Sequence, residues 1–197
     1  MRVISGKARG TKIQTIENNS TRPTLDRVKE SLFNIIQDKI PNSSILDLFA
    51  GSGALGIEAL SRNACIAVFC DKNIECTRII KQNLEKTRLR EKAKVYNNDY
   101  KSCIRELKNE NFKFDIVFID PPYMLDIATE SLKLIIENNL LKDEAIVIIE
   151  TDQRNRDIKE IQEMNIENKI EIYDERKYGR ANLIFIRKIE ENENGNI

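Results

Sequence analysis

From residue 45 onward, short apolar runs alternate with amphipathic stretches. ILDLF (45–49), IAVFCD (66–71), AKVYN (93–97), DIVFID (115–120) and AIVIIE (145–150) have the length and continuity of strands buried on both faces. Between them, GALGIEALSR (53–62), NIECTRIIKQNLEK (73–86) and the segments 101–109 and 127–139 read as helices. Alternation of this kind predicts a parallel sheet with helices on both sides, a doubly wound α/β fold. KIEIYDERKYGRANLIFIRK (169–188) instead holds two alternating runs around Gly179, which predicts an antiparallel hairpin closing the sheet.

Ahead of this body, Leu25, Val28, Leu32, Ile35 and Ile36 recur at helical spacing after Pro23 and a possible Thr24 N-cap, predicting a helix over 24–38 that Pro41 and the following Asn-Ser-Ser end. Residues 1–15 alternate only weakly, at Val3 and Ile13, with Gly6 and Gly10 between, and predict a small hairpin that contributes little apolar burial. The expected organisation is a basic arm at 1–22, a main domain at 23–189 and a frayed acidic tail at 190–197.

A chain of 197 residues with 41% hydrophobic residues is enough for one packed domain. No apolar run approaches the ~18–20 residues that span a bilayer, and MRVISGKARG lacks the apolar stretch of a secretory signal. The protein is expected in the cytoplasm, as a monomer. Absence of His removes Ser-His-Asp triads, Cys-His pairs and imidazole metal sites. Cysteines at 65, 70, 76 and 103 form no C-x-x-C pair, so reduced structural thiols and no metal are expected.

Charge adds a further reading. The 32 Lys and Arg balance 32 Asp and Glu, yet Arg2, Lys7, Arg9 and Lys12 stand on the arm without an acid, while Glu190, Glu191 and Glu193 lie in the tail. The arm could meet a polyanion such as RNA, or be an ordinary solvated hairpin. Arg22, Arg27, Arg176 and Arg180 are the other basic candidates for RNA contact.

DLFAGSGALG (47–56) places Gly51, Gly53 and Gly56 in a G-x-G-x-x-G pattern after a strand and at the opening of a helix, and Asp71 follows Gly51 by 20 residues at the end of the next strand. Such glycines turn the backbone tightly and let a ligand approach, while the acid can accept both ribose hydroxyls. A nicotinamide dinucleotide and S-adenosylmethionine both fit. The chain is too short for a second mononucleotide half and a separate substrate domain. Asp47, before the glycines, can receive a cationic methionine portion or order the loop, and would repel a pyrophosphate; S-adenosylmethionine is preferred, with Ser52 in the same loop. Asp99, in YNNDY, can accept an adenine amino group or simply form a turn with its Asn neighbours. The first three strands each deliver an acid at the carboxyl edge where such sheets bind ligands.

DPPY (120–123) follows the fourth strand at that same edge. Pro121 and Pro122 stiffen the loop and keep their carbonyls as acceptors. An exocyclic amine on a base is a poor nucleophile because its lone pair is delocalised. If the Asp120 carboxylate and the Pro121 carbonyl accept its two N–H groups, the nitrogen is drawn toward a tetrahedral form that can attack a sulfonium methyl. Tyr123 would stack on a base that is unpaired or flipped.

DLFAGSGALGIEALSR and FIDPPY, with TRPTLDRVKESLFNI before them, resemble the bacterial ribosomal RNA methyltransferases that modify the 2-amino group of a guanine in 16S RNA, and the likeness runs from MRVISGKARG to YGRANL. The resemblance implies a class I S-adenosylmethionine-dependent methyltransferase, Rossmann-like, with seven strands of which the last is antiparallel. It implies 16S rRNA as substrate, within the small ribosomal subunit or an assembly intermediate. Carried over by motif, Asp47, Gly51 and Gly53 bind the cofactor, Asp71 its ribose and Asp99 its adenine, Thr24 lies beside the methionine end, and Asp120 to Tyr123 take the base. A DNA adenine or cytosine amino-methyltransferase would share these motifs but usually needs a sizeable target-recognition segment. A non-catalytic RNA-binding assembly factor would not need Asp120 and the glycine loop intact.

Overall fold

The computed structural model describes residues 1–15, 22–122, 127–164 and 169–189, with the side chains of the first helix from Asp26 onward. In chain order the elements are α1 (Arg22–Ile35), β1 (Ser44–Asp47), α2 (Ala54–Ser61), β2 (Ile66–Cys70), α3 (Ile74–Thr87), β3 (Ala93–Tyr96), α4 (Tyr100–Asn109), β4 (Phe114–Ile119), α5 (Ile127–Glu137), β5 (Leu141–Thr151), α6 (Arg154–Met164), β6 (Ile170–Tyr178) and β7 (Ala181–Lys188). The sheet order is β3-β2-β1-β4-β5-β7-β6. Strands β1 to β5 are parallel, and β7 runs antiparallel to both β5 and β6.

The continuous apolar strands split their residues between two cores, because successive side chains point to opposite faces. Ile45, Phe69, Ile116, Phe118, Ile148 and Phe185 face α1, α2 and α3, while Leu46, Val68, Val117, Ile119, Ile149 and Ile186 face α4, α5 and α6. The chain leaves β1 toward β2 and β3, then returns to lay β4 on β1's other side. Between β1 and β4 the winding direction therefore reverses, which opens the crevice where such sheets take ligands.

Element boundaries move modestly from those expected. The first helix starts at Arg22, so Thr24 lies within it and does not cap it; it ends at Ile35, and a short 3-10 turn at Gln37–Lys39 takes up the rest of the predicted span. The fifth strand starts at Leu141, and α6 occupies a stretch for which the pattern predicts nothing. The acidic tail at 190–197 lies outside the described residues.

The arm corrects one expectation. An antiparallel bridge joins Arg2 to Lys12, as a hairpin requires, but Val3, Ala8 and Ile13 are buried in the same core as Phe33, Leu60 and Phe185. The helices α1 and α2 supply the reason. Glu58 of α2, wholly buried, accepts the Ile4 N–H at 2.8 Å and the Ser5 N–H at 3.0 Å. It also pairs with Lys29 of α1 at 3.2 Å and with Arg62 at 2.9 Å. Lys29 in turn donates to the Arg2 carbonyl at 2.7 Å. A carboxylate buried with two cations and two backbone donors is satisfied, and removing either side would leave charge uncompensated.

Candidate active site

The glycine loop after β1 turns as its sequence requires. Gly51 and Gly53 have φ of +52° and +77°, a region that side-chain-bearing residues seldom adopt. Gly56 plays a different part, because a Cβ there would lie 2.3 Å from the Phe69 ring; its hydrogen lets α2 lie directly on β2. Two carboxylates hold this loop. Asp71, at the end of β2, accepts the Gly51 N–H at 2.8 Å on one oxygen and the Asn73 N–H at 2.8 Å on the other. Each carboxylate oxygen can accept twice, so both retain capacity toward a diol. Asp47, 2% exposed, accepts the Gly56 N–H at 3.0 Å. Burial pushes its carboxyl up to about 7 against that hydrogen bond, and the charge of Asp71 adds to the rise.

Asp120 follows β4 on the other side of the crevice. Ile119 is in register with Ile149 of β5, so the next residues, Asp120 and Glu150, come side by side. Burial, then the charge of Glu150, then that of Asp47, hold the Asp120 carboxyl well above the usual carboxylate range. The crevice is thus lined by acids from β1, β4 and β5, an electrostatic setting that favours a positively charged ligand and opposes a pyrophosphate. Glu150 was not singled out by sequence reasoning. Its signal was there, as the acid ending AIVIIE in parallel with the one ending FID. Pro121 is buried and Pro122 exposed. Tyr123 and the side chain of Thr24 lie outside the described residues.

Asp99 is exposed at the N-terminus of α4, where one carboxylate oxygen accepts the Lys101 N–H at 3.0 Å and the Ser102 N–H at 3.2 Å. Hydrogen bonds from Ser102 hold its carboxyl below the usual range. This is a helix cap, the local role expected of an Asn-Asn-Asp turn. The next residue, Tyr100, lies with its ring 5.6 Å from Phe49 of the glycine-loop segment. Asp99 therefore stands beside the loop that Asp71 grips.

The basic residues divide into two groups. Lys7 and Arg9 sit at the arm's turn, where Lys7 N–H donates to the Ser61 carbonyl at 2.8 Å. Ser61 ends α2, whose eight residues put that turn about 12 Å along the helix from the glycine loop. Arg2 and Lys12 face one another across the arm's bridge, and Arg27 is exposed on α1. At the other group, Thr151 pairs with Asn182 and Tyr178 with Ala181, so the turn carrying Arg180 lies at the carboxyl edge of β5, the edge that carries Asp120. Arg176 is exposed there and pairs with Asp174 at 3.0 Å. A hydroxyl contact between Ser31 and Tyr178 joins α1 to this hairpin. The side chain of Arg22 lies outside the described residues.

A seven-stranded sheet with β7 antiparallel, a glycine loop after β1 and acids ending β1, β2 and β4 define a class I methyltransferase fold. Three comparisons carry this further. A candidate methyltransferase of Escherichia coli, yhhF, superposes with a TM-score of 0.81 at 30% identity, covering 97% of this chain and 99% of that one. Ribosomal RNA small subunit methyltransferase D of Haemophilus influenzae is 39% identical over 154 residues, 78% of this chain and 79% of that protein. The same-named protein of Escherichia coli is 38% identical over 158 residues, 79% of this chain and 76% of that protein. The chain belongs to the family described as Conserved hypothetical protein 95, whose model matches residues 1–187. Among the described residues no helix is long and apolar enough to cross a membrane, and no group of three or more His, Cys, Asp or Glu is placed to hold a metal ion.

Proposed function

We propose that the protein methylates the exocyclic 2-amino group of a guanine in 16S rRNA, with S-adenosylmethionine as donor, during small-subunit assembly. The observation that carries this reading is the placement of Asp120 and Pro121 across the crevice from Asp47 and the glycine loop. When bound, S-adenosylmethionine supplies an electrophilic methyl group on a cationic sulfur. The acids lining the crevice suit that charge, and the loop with Asp71 suits a ribose. Asp99, Ser52 and Thr24 complete the cofactor contacts in this reading.

Asp120 accepts one N–H of the target amine and the Pro121 carbonyl accepts the other, which localises the nitrogen lone pair. As the N–CH3 bond forms the S–CH3 bond breaks, and the amine must shed one proton. In its ionised form, which a sulfonium charge in the crevice would favour over the neutral one, Asp120 is placed to take that proton. Pro122 fixes the loop and Tyr123 stacks on the flipped base. The names of the Haemophilus influenzae and Escherichia coli relatives support rRNA as the substrate, and the arm and the β6–β7 turn offer cations to its phosphates.

Incubation with S-adenosylmethionine and unmethylated small-subunit rRNA, free and in assembly particles, should yield N2-methylguanosine by nucleoside mass spectrometry. Calorimetric titration with the cofactor alone should release heat and a dinucleotide should not. Methyladenine from a DNA substrate, or dinucleotide binding in place of the cofactor, would overturn the reading.

The basic arm gives a separate expectation. Changing Arg2, Lys7, Arg9 and Lys12 to Gln should weaken RNA binding and flatten its salt dependence, because each neutralised phosphate releases counterion. All four side chains are exposed, so the fold should tolerate the change although the arm's apolar residues are buried. Affinities at two salt concentrations for both forms decide it. An unchanged slope would shift RNA contact to Arg22, Arg27, Arg176 and Arg180.

A further inference from the structure

Asn83, on α3 and wholly buried, lies between the arm and the glycine loop. Its amide nitrogen donates to the Gln14 carbonyl at 3.0 Å and to the Ser52 carbonyl at 2.9 Å, and its amide oxygen accepts the Gln14 N–H at 2.8 Å. Both amide hydrogens are used, and the reversed orientation would point oxygen at two carbonyls, so this network fixes the side chain one way round. Ser52 stands between Gly51 and Gly53, the two positive-φ glycines of the loop. Gln14 closes the arm, whose strands are joined by Val3 N–H to the Thr11 carbonyl at 3.0 Å and Ile13 N–H to the Met1 carbonyl at 3.2 Å. The arm's opposite end is fastened on α2, with the Ala8 N–H on the Ser61 hydroxyl at 2.9 Å. A continuous set of hydrogen bonds thus runs from Ser61 through the arm to Asn83 and the Ser52 carbonyl.

We propose that the N-terminal arm is part of the cofactor site, with Asn83 as the positioning residue that ties the arm's seating to the conformation of the glycine loop. The proposal rests on the S-adenosylmethionine reading. A loop with two glycines in the left-handed region has much backbone freedom to lose. Restraining it before the ligand arrives removes that ordering cost from binding, which is how preorganisation raises affinity. Asn83 supplies the restraint at the Ser52 carbonyl, and the arm holds the other side of the Asn83 amide. The coupling is reciprocal, so a bound cofactor must also tighten the arm. Phosphates contacting Arg2 and Lys12 would then act on the same equilibrium.

The test uses S-adenosylhomocysteine as the probe, titrated into the full chain well below its melting temperature. Gly6→Ala loosens the arm remotely. Gly6 has φ of +79° and a Cβ there would lie 1.8 Å from the Ser61 carbonyl oxygen, at the end of α2 away from the glycine loop. Gly6→Ala and Asn83→Ala should each weaken binding by about tenfold, the order expected for losing a buried hydrogen bond. The double variant should be no weaker than about tenfold, since both lesions break the same connection and their effects cannot add. Ser61→Ala, which removes the hydroxyl under Ala8 without adding bulk, repeats the remote lesion more gently and should weaken binding severalfold. A purely structural role would lower the melting temperature of these variants and leave the dissociation constant of the folded protein unmoved. Wild-type affinity in Gly6→Ala and Ser61→Ala, or additive losses in the double variant, would overturn the proposal. Failure of the wild-type protein to bind the probe would overturn the cofactor reading instead.

Discussion

Asp120→Ala is expected to slow methyl transfer about 100–1000-fold, the usual loss when a preorganised polar group is taken from the reacting atoms. Cofactor affinity should stay within a few-fold, because Asp47, Asp71 and the glycine loop stand on the other side of the β1–β4 crevice. The variant should fold, since the wild-type carboxyl is held in an unfavourable setting by burial and by Glu150 and Asp47. Removing it relieves that setting at the expense of function. Asp120→Asn keeps one acceptor oxygen and loses the charge and the proton-accepting capacity, and should fall between alanine and wild type. Single-turnover rates and cofactor titration on the same preparations measure both quantities. Near-normal transfer by Asp120→Ala would remove this residue from the reaction.

Asp47 should make cofactor binding depend on pH near neutrality. With its carboxyl up at about 7 in the free protein, a cation that binds the ionised form competes with a proton. Affinity should then fall about tenfold between pH 8 and pH 6, as the ionised fraction falls. Asp47→Asn should lose that dependence and bind about 100-fold more weakly at pH 8, the range for a hydrogen bond to a charged partner. The ligand-free fold should respond oppositely. A carboxyl raised from its ordinary 3.8 to about 7 binds its proton more tightly folded than unfolded, so stability falls as pH rises from about 4 to 7. The asparagine, which can still accept the Gly56 N–H, avoids that loss. It should be more stable than wild type at pH 8, by up to about 4 kcal/mol from the size of the shift. Titration calorimetry and denaturant melts at pH 6 and pH 8 test both halves, and pH-independent affinity in the wild type would refute the assignment.

The parts of this molecule that sequence alone made legible are those whose cause is local. Ile116 to Ile119 read as a strand because both neighbours and both faces are buried, which leaves no polar positions to obscure the run. The Gly51–Gly53 turn was legible because few residues other than glycine suit its positive φ, and the Asp-Pro-Pro loop because proline restricts its own backbone and that of the residue before it. Spacing placed Asp71 at the end of the second strand but gave no sign of its grip on the Gly51 N–H. What stayed hidden has long-range causes. Glu58 and Asn83 look like ordinary solvated helix positions, and nothing near them in sequence says that the arm will cover them, with bonds reaching 54 residues to Ile4 and 69 residues to Gln14. Val3, Ala8 and Ile13 follow no strand or helix period, because Val3 and Ile13 reach the core from beside the arm's bridge and Ala8 from its turn. The helix α6 escaped notice since RNRDIKEIQEM turns only Ile158 and Ile161 toward the core, among mostly polar and charged residues.

The core shared by Val3, Leu60, Leu183 and Phe185 constrains how the chain folds while it is being made. Translation proceeds at about 5–20 residues per second, and domains tend to fold as units once their parts have emerged. Val3 and Ala8 leave the ribosome long before Glu58 and Ser61, the groups that fasten the arm, and longer still before β7 inserts between β5 and β6. Until then the edge of β5 stays unpaired and one face of the sheet lacks Leu183 and Phe185. Nascent chains stalled after β5 should therefore remain open to edge-to-edge pairing, and release of the β6–β7 hairpin is the event that closes that edge.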